Sequence, residues 1–118
     1  MMSLDVDLMV TQPTSVWNYN ITHNLGAMAK AVVLEPDWDL PMTLYHVLWR
    51  PEEFGLHFAH EISDYLNIGY HTLISDPEKY KAFNPENGWG SYEGLVAFVL
   101  SYRDACYANP FAELRVSR

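Results

Sequence analysis

Two short stretches of the sequence concentrate polar and aromatic side chains, and each stands just before a helical pattern. The first is NITHN, residues 20–24, which places two amides, a hydroxyl and an imidazole in five positions. The second is FNPENGWGSYE, residues 83–93, in which glycines flank a tryptophan. The N-terminus of a helix offers free N–H groups that attract phosphate or carboxylate. An aromatic ring beside glycines can stack on a planar ligand.

These stretches form the candidate site, and we expect it to bind a small, nucleotide-like ligand. Because both stretches end at helix N-termini, we predict that His23 and Trp89 share one pocket. Each stretch also has a simpler interpretation, in which a polar side chain of NITHN only caps a helix and Trp89 packs into the core. The candidate ligand-binding residues, with Arg50 as the charge partner for an anion, are Asn20, Thr22, His23, Asn24, Arg50, Asn87, Trp89 and Tyr92.

The other residues that could bind a metal or act as a nucleophile are predicted to have structural roles. His57, His60, Glu61 and Asp64 spell H-x-x-H-E-x-x-D, which matches neither order of a zinc-protease helix, so we expect a solvated helix surface with local ion pairs and no metal. Cys106 falls on the apolar stripe of a helix, near its end, and is expected to be a core residue.

The chain carries no phosphate-loop or dinucleotide glycine fingerprint, so no cofactor and no catalytic residue are predicted. An enzyme that uses His23 as general base, with Glu93 or Asp64 orienting it, remains as a third alternative. A second alternative is a protein–protein interaction module that inhibits a host factor through an acidic surface. The ligand-binding hypothesis would be favoured by a polar pocket, and the interaction module by exposed aromatic residues on an acidic face.

Composition limits the partners. The 118 residues carry a net charge of −8 with only 7 scattered basic residues, which argues against nucleic acid. We therefore expect a small-molecule or host-protein partner, with a homo-oligomer possible. The single cysteine indicates a reducing compartment, and no stretch has the pattern of a signal peptide or of a membrane span. These features predict a soluble, cytoplasmic protein with one domain over residues 1–118.

The elements that must position the site are read from periodicity. Residues 4–10 and 17–22 alternate as two strands of a hairpin, and AELRVSR, residues 112–118, alternates as a closing strand. Helical patterns run from Thr22 to about Val33, over 42–48, along 56–74, briefly after Asp76, and from Ser91 to Pro110, with Asp76 and Ser91 as caps. Residues 34–41 are predicted to form an exposed loop. The fold class predicted is α+β: a small antiparallel sheet, built from the N-terminal hairpin and the C-terminal strand, packed against three to five helices.

The motifs NITHNLGAMAKA, LWRPEE, FNPENGWGSYEGLVAFV and the closing VSR resemble those of a family of small uncharacterised bacteriophage and bacterial proteins. The resemblance spans nearly the whole chain and implies a compact intracellular protein, without assigning an activity or a residue role. A phage origin would place the protein in the host cytoplasm, and it would favour interference with a host pathway. The function predicted is therefore a non-enzymatic phage or prophage accessory protein that binds a small ligand, for instance to sequester a host signalling molecule.

Overall fold

The N-terminal hairpin supplies two of the three strands of the main sheet. The computed structural model describes residues 3–11, 14–35 and 41–118. Strand β1 (Ser3–Thr11) pairs antiparallel with β2 (Thr14–Thr22) on one side and with β5 (Glu113–Ser117) on the other, giving the order β2-β1-β5. Along β1, Leu4, Val6 and Leu8 are fully buried while the aspartates between them are not, because successive side chains of a strand point to opposite faces. The predicted α+β fold, with terminal strands in one sheet, is confirmed.

Helices cover the apolar face of this sheet. The two longest have 17 residues each and pack against one another. Two 3-10 turns, at His23–Leu25 and Pro51–Phe54, connect shorter elements. The α-helices of the described residues are α1 (Gly26–Lys30), α2 (Leu44–Trp49), α3 (Ala59–Ser75), α4 (Pro77–Lys81) and α5 (Tyr92–Ala108).

Helices α4 and α5 begin where local capping chemistry predicts. The Asp76 side chain accepts the N–H of Lys79 at the start of α4, and Ser91 Oγ accepts the N–H of Gly94 at 3.0 Å at the start of α5. The helical period along residues 56–74 predicts one apolar face, formed by Phe58, Ile62, Leu66, Gly69 and Leu73. These residues are buried in α3 except Phe58, whose side chain is 41% exposed. Phe58 precedes the first turn, so the helical period that predicted its burial does not apply to it.

Residues 33–47 differ most from the prediction. The first helix ends at Lys30 rather than near Val33, and β3 (Val33–Glu35) pairs with β4 (Met42–Thr43) in a separate two-stranded sheet. Helix α2 begins two residues later than predicted because the backbone N–H of Thr43 donates to Nδ1 of His46 at 3.0 Å, which caps the helix there. The predicted loop lies partly in residues 36–40, outside the described residues.

Aromatic packing joins the sheet to α5, and polar contacts of Arg118 join the chain end to residues 49–52. The Trp17 ring stacks on Tyr102 with centroids 4.8 Å apart, and its Nε1 donates to Ser101 Oγ at 2.9 Å. At the C-terminus, Arg118 pairs with Glu52 and donates to the carbonyl of Trp49 at 2.7 Å. These contacts hold the ends of the chain against the body that carries the candidate site.

Candidate functional site

The NITHN stretch is where β2 turns into the first helical segment. Ile21, at the end of β2, is buried. Thr22 Oγ1 then accepts the backbone N–H of Asn24 at 3.3 Å, which starts the 3-10 turn that leads into α1. The interpretation that a polar side chain of NITHN caps a helix is therefore correct for Thr22.

Asn24 joins NITHN to the second stretch. Its Nδ2 lies 3.5 Å from Asn87 Oδ1 and 3.4 Å from the carbonyl oxygen of Trp89, both longer than the roughly 2.7–3.2 Å of a typical N–H···O hydrogen bond. Asn87 Oδ1 also accepts the backbone N–H of Trp89 at 3.0 Å, which orients the Asn87 amide. We call these three residues, Asn24, Asn87 and Trp89, the amide–tryptophan surface.

Two glycines shape the loop around Trp89. Gly88 has φ of +76° and Gly90 has φ of +98°, a region that side chains other than glycine rarely adopt. A Cβ atom on Gly90 would lie 2.6 Å from Thr22 Cγ2 and 3.0 Å from Leu25 Cγ, whereas one on Gly88 would meet nothing within 4 Å. Gly90 thus lets the loop pack closely on the NITHN turn.

Trp89 does not fill the core. Its side chain is 60% exposed, so the interpretation that the ring plugs the interior is wrong. Gly90 brings the backbone close to NITHN, while the Trp89 indole remains in contact with solvent. An exposed tryptophan held on an ordered turn provides the flat apolar surface that the sequence predicted for a planar ligand.

The His23 side chain lies against Trp49 of α2. Its ring meets Trp49 edge-on, with centroids 6.0 Å apart, and its buried Nε2 makes no hydrogen bond within the described protein. The buried Nε1 of Trp49 also lacks a partner there. Among the described residues, no hydrogen bond or ring contact joins His23 to Trp89. The shared pocket of His23 and Trp89 therefore stays a prediction, and Asn24 is the residue that links the two stretches.

Asn20 and Tyr92 lie apart from the amide–tryptophan surface. Asn20 is exposed on β2, opposite Asp5 in the register of the hairpin. Tyr92 is 6% exposed, and its hydroxyl donates to the carbonyl of Leu73 at 2.7 Å. Burial raises the pKa of Tyr92, in agreement with a structural role. Neither side chain contributes a polar group to the loop around Trp89.

Arg50 belongs to a second cluster, on α1 and α2. Its side chain lies 3.6 Å from Glu53, and interaction with the Tyr45 side chain is the main cause that raises the pKa of Arg50. Lys30, which the sequence analysis did not single out, places Nζ 4.6 Å from the centroid of the Tyr45 ring. The Lys30 ammonium thus contacts the face of the Tyr45 ring. Sequence alone gave little signal for this, because the contact depends on how α1 packs on α2.

Several helix-start N–H groups are already occupied. Thr22 holds the N–H of Asn24, Asn84 Oδ1 accepts that of Tyr92 at 2.8 Å, and Ser91 holds that of Gly94. The sequence analysis expected these N–H groups to be free to bind an anion. Because each of them already donates to a side-chain oxygen, that expectation is wrong for these three groups. Ligand recognition would instead depend on side-chain amides, cations and aromatic rings.

The other candidate chemistry has structural explanations. Glu61 Oε1 accepts the backbone N–H groups of His57 and Phe58, both at 2.9 Å, and these two bonds are the main cause that lowers the pKa of Glu61. It therefore caps α3. Burial raises the pKa of the fully buried Cys106 to about 12. Within the described residues, no group of three or more His, Cys, Asp or Glu side chains is arranged to hold a metal.

A groove of about 300 Å³ lies between residues 51–57 and strand β5, and none of Asn24, Asn87 and Trp89 lines it. No helix among the described residues combines the length and apolar character that a bilayer crossing requires. Comparisons of the chain with protein-family models, with curated proteins and with solved structures find no significant match.

Proposed function

We propose that this chain is a non-enzymatic phage or prophage accessory protein that binds a small, nucleotide-like ligand in the host cytoplasm. One observation carries the proposal: the Asn24 side chain reaches across 63 residues of sequence to Asn87, beside a Trp89 ring that is 60% exposed. The two stretches that sequence analysis selected are thus neighbours in space. Their contact leaves a large aromatic ring facing solvent.

The chemistry of this surface suits a planar heterocycle. Side-chain amides offer both donors and acceptors, which match the edge of a nucleobase. The face of an exposed indole stacks on any base, and such stacking contributes roughly 1–3 kcal/mol. The Trp89 backbone N–H orients Asn87, so one of the amides is ordered before a ligand arrives.

Asp64 and Glu93, the two carboxylates that could orient His23 as a general base, have other partners. Asp64 accepts the hydroxyl of Tyr107 at 3.4 Å, and Glu93 lies 3.8 Å from Lys81. Neither carboxylate is among the groups that contact His23 in the described structure, and a general-base mechanism needs such a contact. Sequestration of a host signalling nucleotide would follow from binding alone, and the resemblance to phage proteins supports that biological role.

Calorimetric titration with the four common nucleoside 5′-monophosphates tests the proposal. Trp89→Ala should weaken a binding nucleotide by roughly 1–3 kcal/mol through the loss of stacking. Phe111→Ala is the matched control, because Phe111 is also exposed, at 83%. Asn24→Ala should weaken binding as well, and Asn20→Ala should not. Equal affinities in all four variants would refute a site at the amide–tryptophan surface.

An interaction module is the second candidate, and one aromatic cluster favours it. The exposed Phe58 ring stacks on His60 at 6.0 Å, and His60 meets the exposed Phe111 edge-on at 5.9 Å. Exposed apolar surface of this kind often marks a protein interface. If the protein slows the growth of a bacterial host through this surface, Phe111→Asp should abolish the effect and Trp89→Ala should preserve it. The reverse pattern would favour ligand binding.

A further inference from the structure

Exposed aromatic rings lie beside the groove between residues 51–57 and β5. Phe111 is 83% exposed, and its ring meets His60 edge-on, with centroids 5.9 Å apart. Phe58, which is also exposed, stacks on the same imidazole at 6.0 Å. We call Phe58, His60 and Phe111 the aromatic cluster. Glu113 lines the groove and is two residues from Phe111, so their Cα atoms are at most about 7 Å apart.

The groove has an apolar wall and room for an aromatic side chain. Leu56, Leu114 and Val116 line it, and each of them is only partly buried. It forms because residues 57–59 pair with the start of β5, whereas the chain before them leaves the strand edge in the turn Pro51–Phe54. Its volume of about 300 Å³ exceeds the roughly 150 Å³ of a cavity that binds benzene.

We propose that each chain inserts Phe111 into the groove of a second copy, so that the protein forms a twofold-symmetric dimer. The aromatic cluster and the groove are neighbours on one side of the chain, and a surface that carries both is self-complementary. In such an isologous contact each copy supplies one ring and one groove, so both exposed rings are covered together. Aromatic side chains that fill a pocket are common anchors of protein interfaces.

Two charges at the groove have no ion-pair partner within the part of the chain that the structure describes. Glu113 and Arg115 both line the groove, and both side chains are exposed. Neither takes part in an ion pair among these residues. Arg115 lies opposite Asp7 in the register of β1 and β5, yet the two side chains are not within ion-pair distance.

These charges complement a second copy of the same chain. A twofold axis perpendicular to β5 at residue 114 sets Glu113 opposite the second copy's Arg115, and Arg115 opposite its Glu113. The same axis brings Phe111 beside residue 117 of the second copy, next to Val116 of its groove. A partner with charges of one sign would meet a like charge at one of the two positions, which disfavours it.

The proposed interface is separate from the ligand site of the proposed function. None of Asn24, Asn87 and Trp89 lines the groove. Substitution of Trp89 should therefore affect the ligand and leave the dimer intact, whereas substitution of Phe111 should do the reverse.

Sedimentation velocity of the full chain over a hundredfold range of concentration tests the dimer. We expect a monomer–dimer equilibrium whose dissociation constant rises at least roughly thirtyfold in Phe111→Ala, the loss typical of an aromatic interface anchor. Trp89→Ala is the matched control, because Trp89 is also exposed, at 60%, and lies outside the groove. A chain that stays monomeric at every concentration, or equal dissociation constants for the two variants, would overturn the inference.

Exchange of the two charges tests the twofold axis. Glu113→Arg and Arg115→Glu should each weaken the dimer at least fivefold, because each sets like charges opposite one another. The double variant should recover the original dissociation constant, since opposite charges meet again. Net charge alone predicts that Glu113→Arg strengthens the dimer, because it reduces the repulsion between two chains of net charge −8. A double variant that dimerises no better than the single ones would overturn the twofold contact.

A mixed sample of isotope-labelled and unlabelled chains locates the inserted ring. Filtered NOE spectra should show contacts between the Phe111 ring protons of one chain and the methyl groups of Leu56 and Val116 of the other. Contacts between aromatic rings alone would show that the two aromatic clusters pack on each other, and they would overturn insertion into the groove.

Discussion

The close approach of Gly90 to the NITHN turn makes a quantitative prediction about loop assembly. In Gly90→Ala, the new methyl group would overlap Thr22 Cγ2 at 2.6 Å and Leu25 Cγ at 3.0 Å. Such overpacking costs about 1–3 kcal/mol. The positive φ of +98° adds about 1–2 kcal/mol for a residue with a Cβ atom. We therefore expect the substitution to lower the free energy of unfolding by roughly 3 kcal/mol.

Gly88→Ala is the matched control for this prediction. It has a similar positive φ of +76° but open space around the new methyl group, so only the backbone term of about 1–2 kcal/mol applies. Urea unfolding of both variants, monitored by circular dichroism, measures the difference. Equal destabilisation by the two substitutions would refute the close packing of the loop on Thr22 and Leu25. Gly90→Ala should also weaken any ligand that depends on both stretches.

The remaining predictions concern the body of the fold and its titration. Deletion of residues 112–118 removes β5 from the side of β1 and should abolish cooperative unfolding, which a truncated protein that melts like the intact one would contradict. Cys106 should react with a disulfide reagent only as fast as the protein unfolds, because the thiol is fully buried and its pKa is raised to about 12; fast modification of the native protein would contradict this. Burial lowers the pKa of His46 in the folded chain, whereas in the unfolded chain His46 takes up a proton near the ordinary histidine pKa of 6.5. Stability should therefore be complete above that pH and decline below it, and His46→Asn should flatten the decline in urea titrations across pH 5.5–7.5. Gel-shift titration should show no saturable binding of DNA or RNA at physiological salt, since the net charge is −8.

The sheet and the long helices were predictable because their signals are local. Alternation of Leu4, Val6 and Leu8 with aspartates specifies a half-buried strand from a few neighbouring residues. A side-chain cap such as Ser91 likewise acts within three residues of its own position. Such patterns can be read without knowledge of the rest of the fold.

The parts that sequence reasoning missed depend on contacts between distant segments. The pairing of β3 with β4 needs Leu34 and Met42 to be buried together, and the helix pattern before them carries no sign of it. The loop that carries the exposed Trp89 is packed through Gly90 on Thr22, 68 positions earlier in the chain. Aromatic residues are more often buried than exposed, so composition alone favoured the wrong location for this ring.

Sequence reasoning selected two stretches that lie in contact in the structure, but it did not identify which of their side chains make the contact. Asn24 meets Asn87 and Trp89, whereas His23 turns toward Trp49 and Tyr92 is used by the core. The choice between neighbouring polar residues depends on side-chain direction in the 3-10 turn. That direction is set by the Thr22 cap and by packing on α2, which periodicity does not report.

Native mass spectrometry most directly tests the central claim, that the amide–tryptophan surface holds a small ligand. The full chain, its Trp89→Ala variant and the Phe111→Ala control would be purified from phage-infected bacteria and sprayed without denaturation. We predict that the intact protein and the control retain the same small molecule, with a mass and fragmentation typical of a phosphorylated nucleoside, and that Trp89→Ala has lost it. The same occupancy in all three proteins, or none in any of them, would contradict the account.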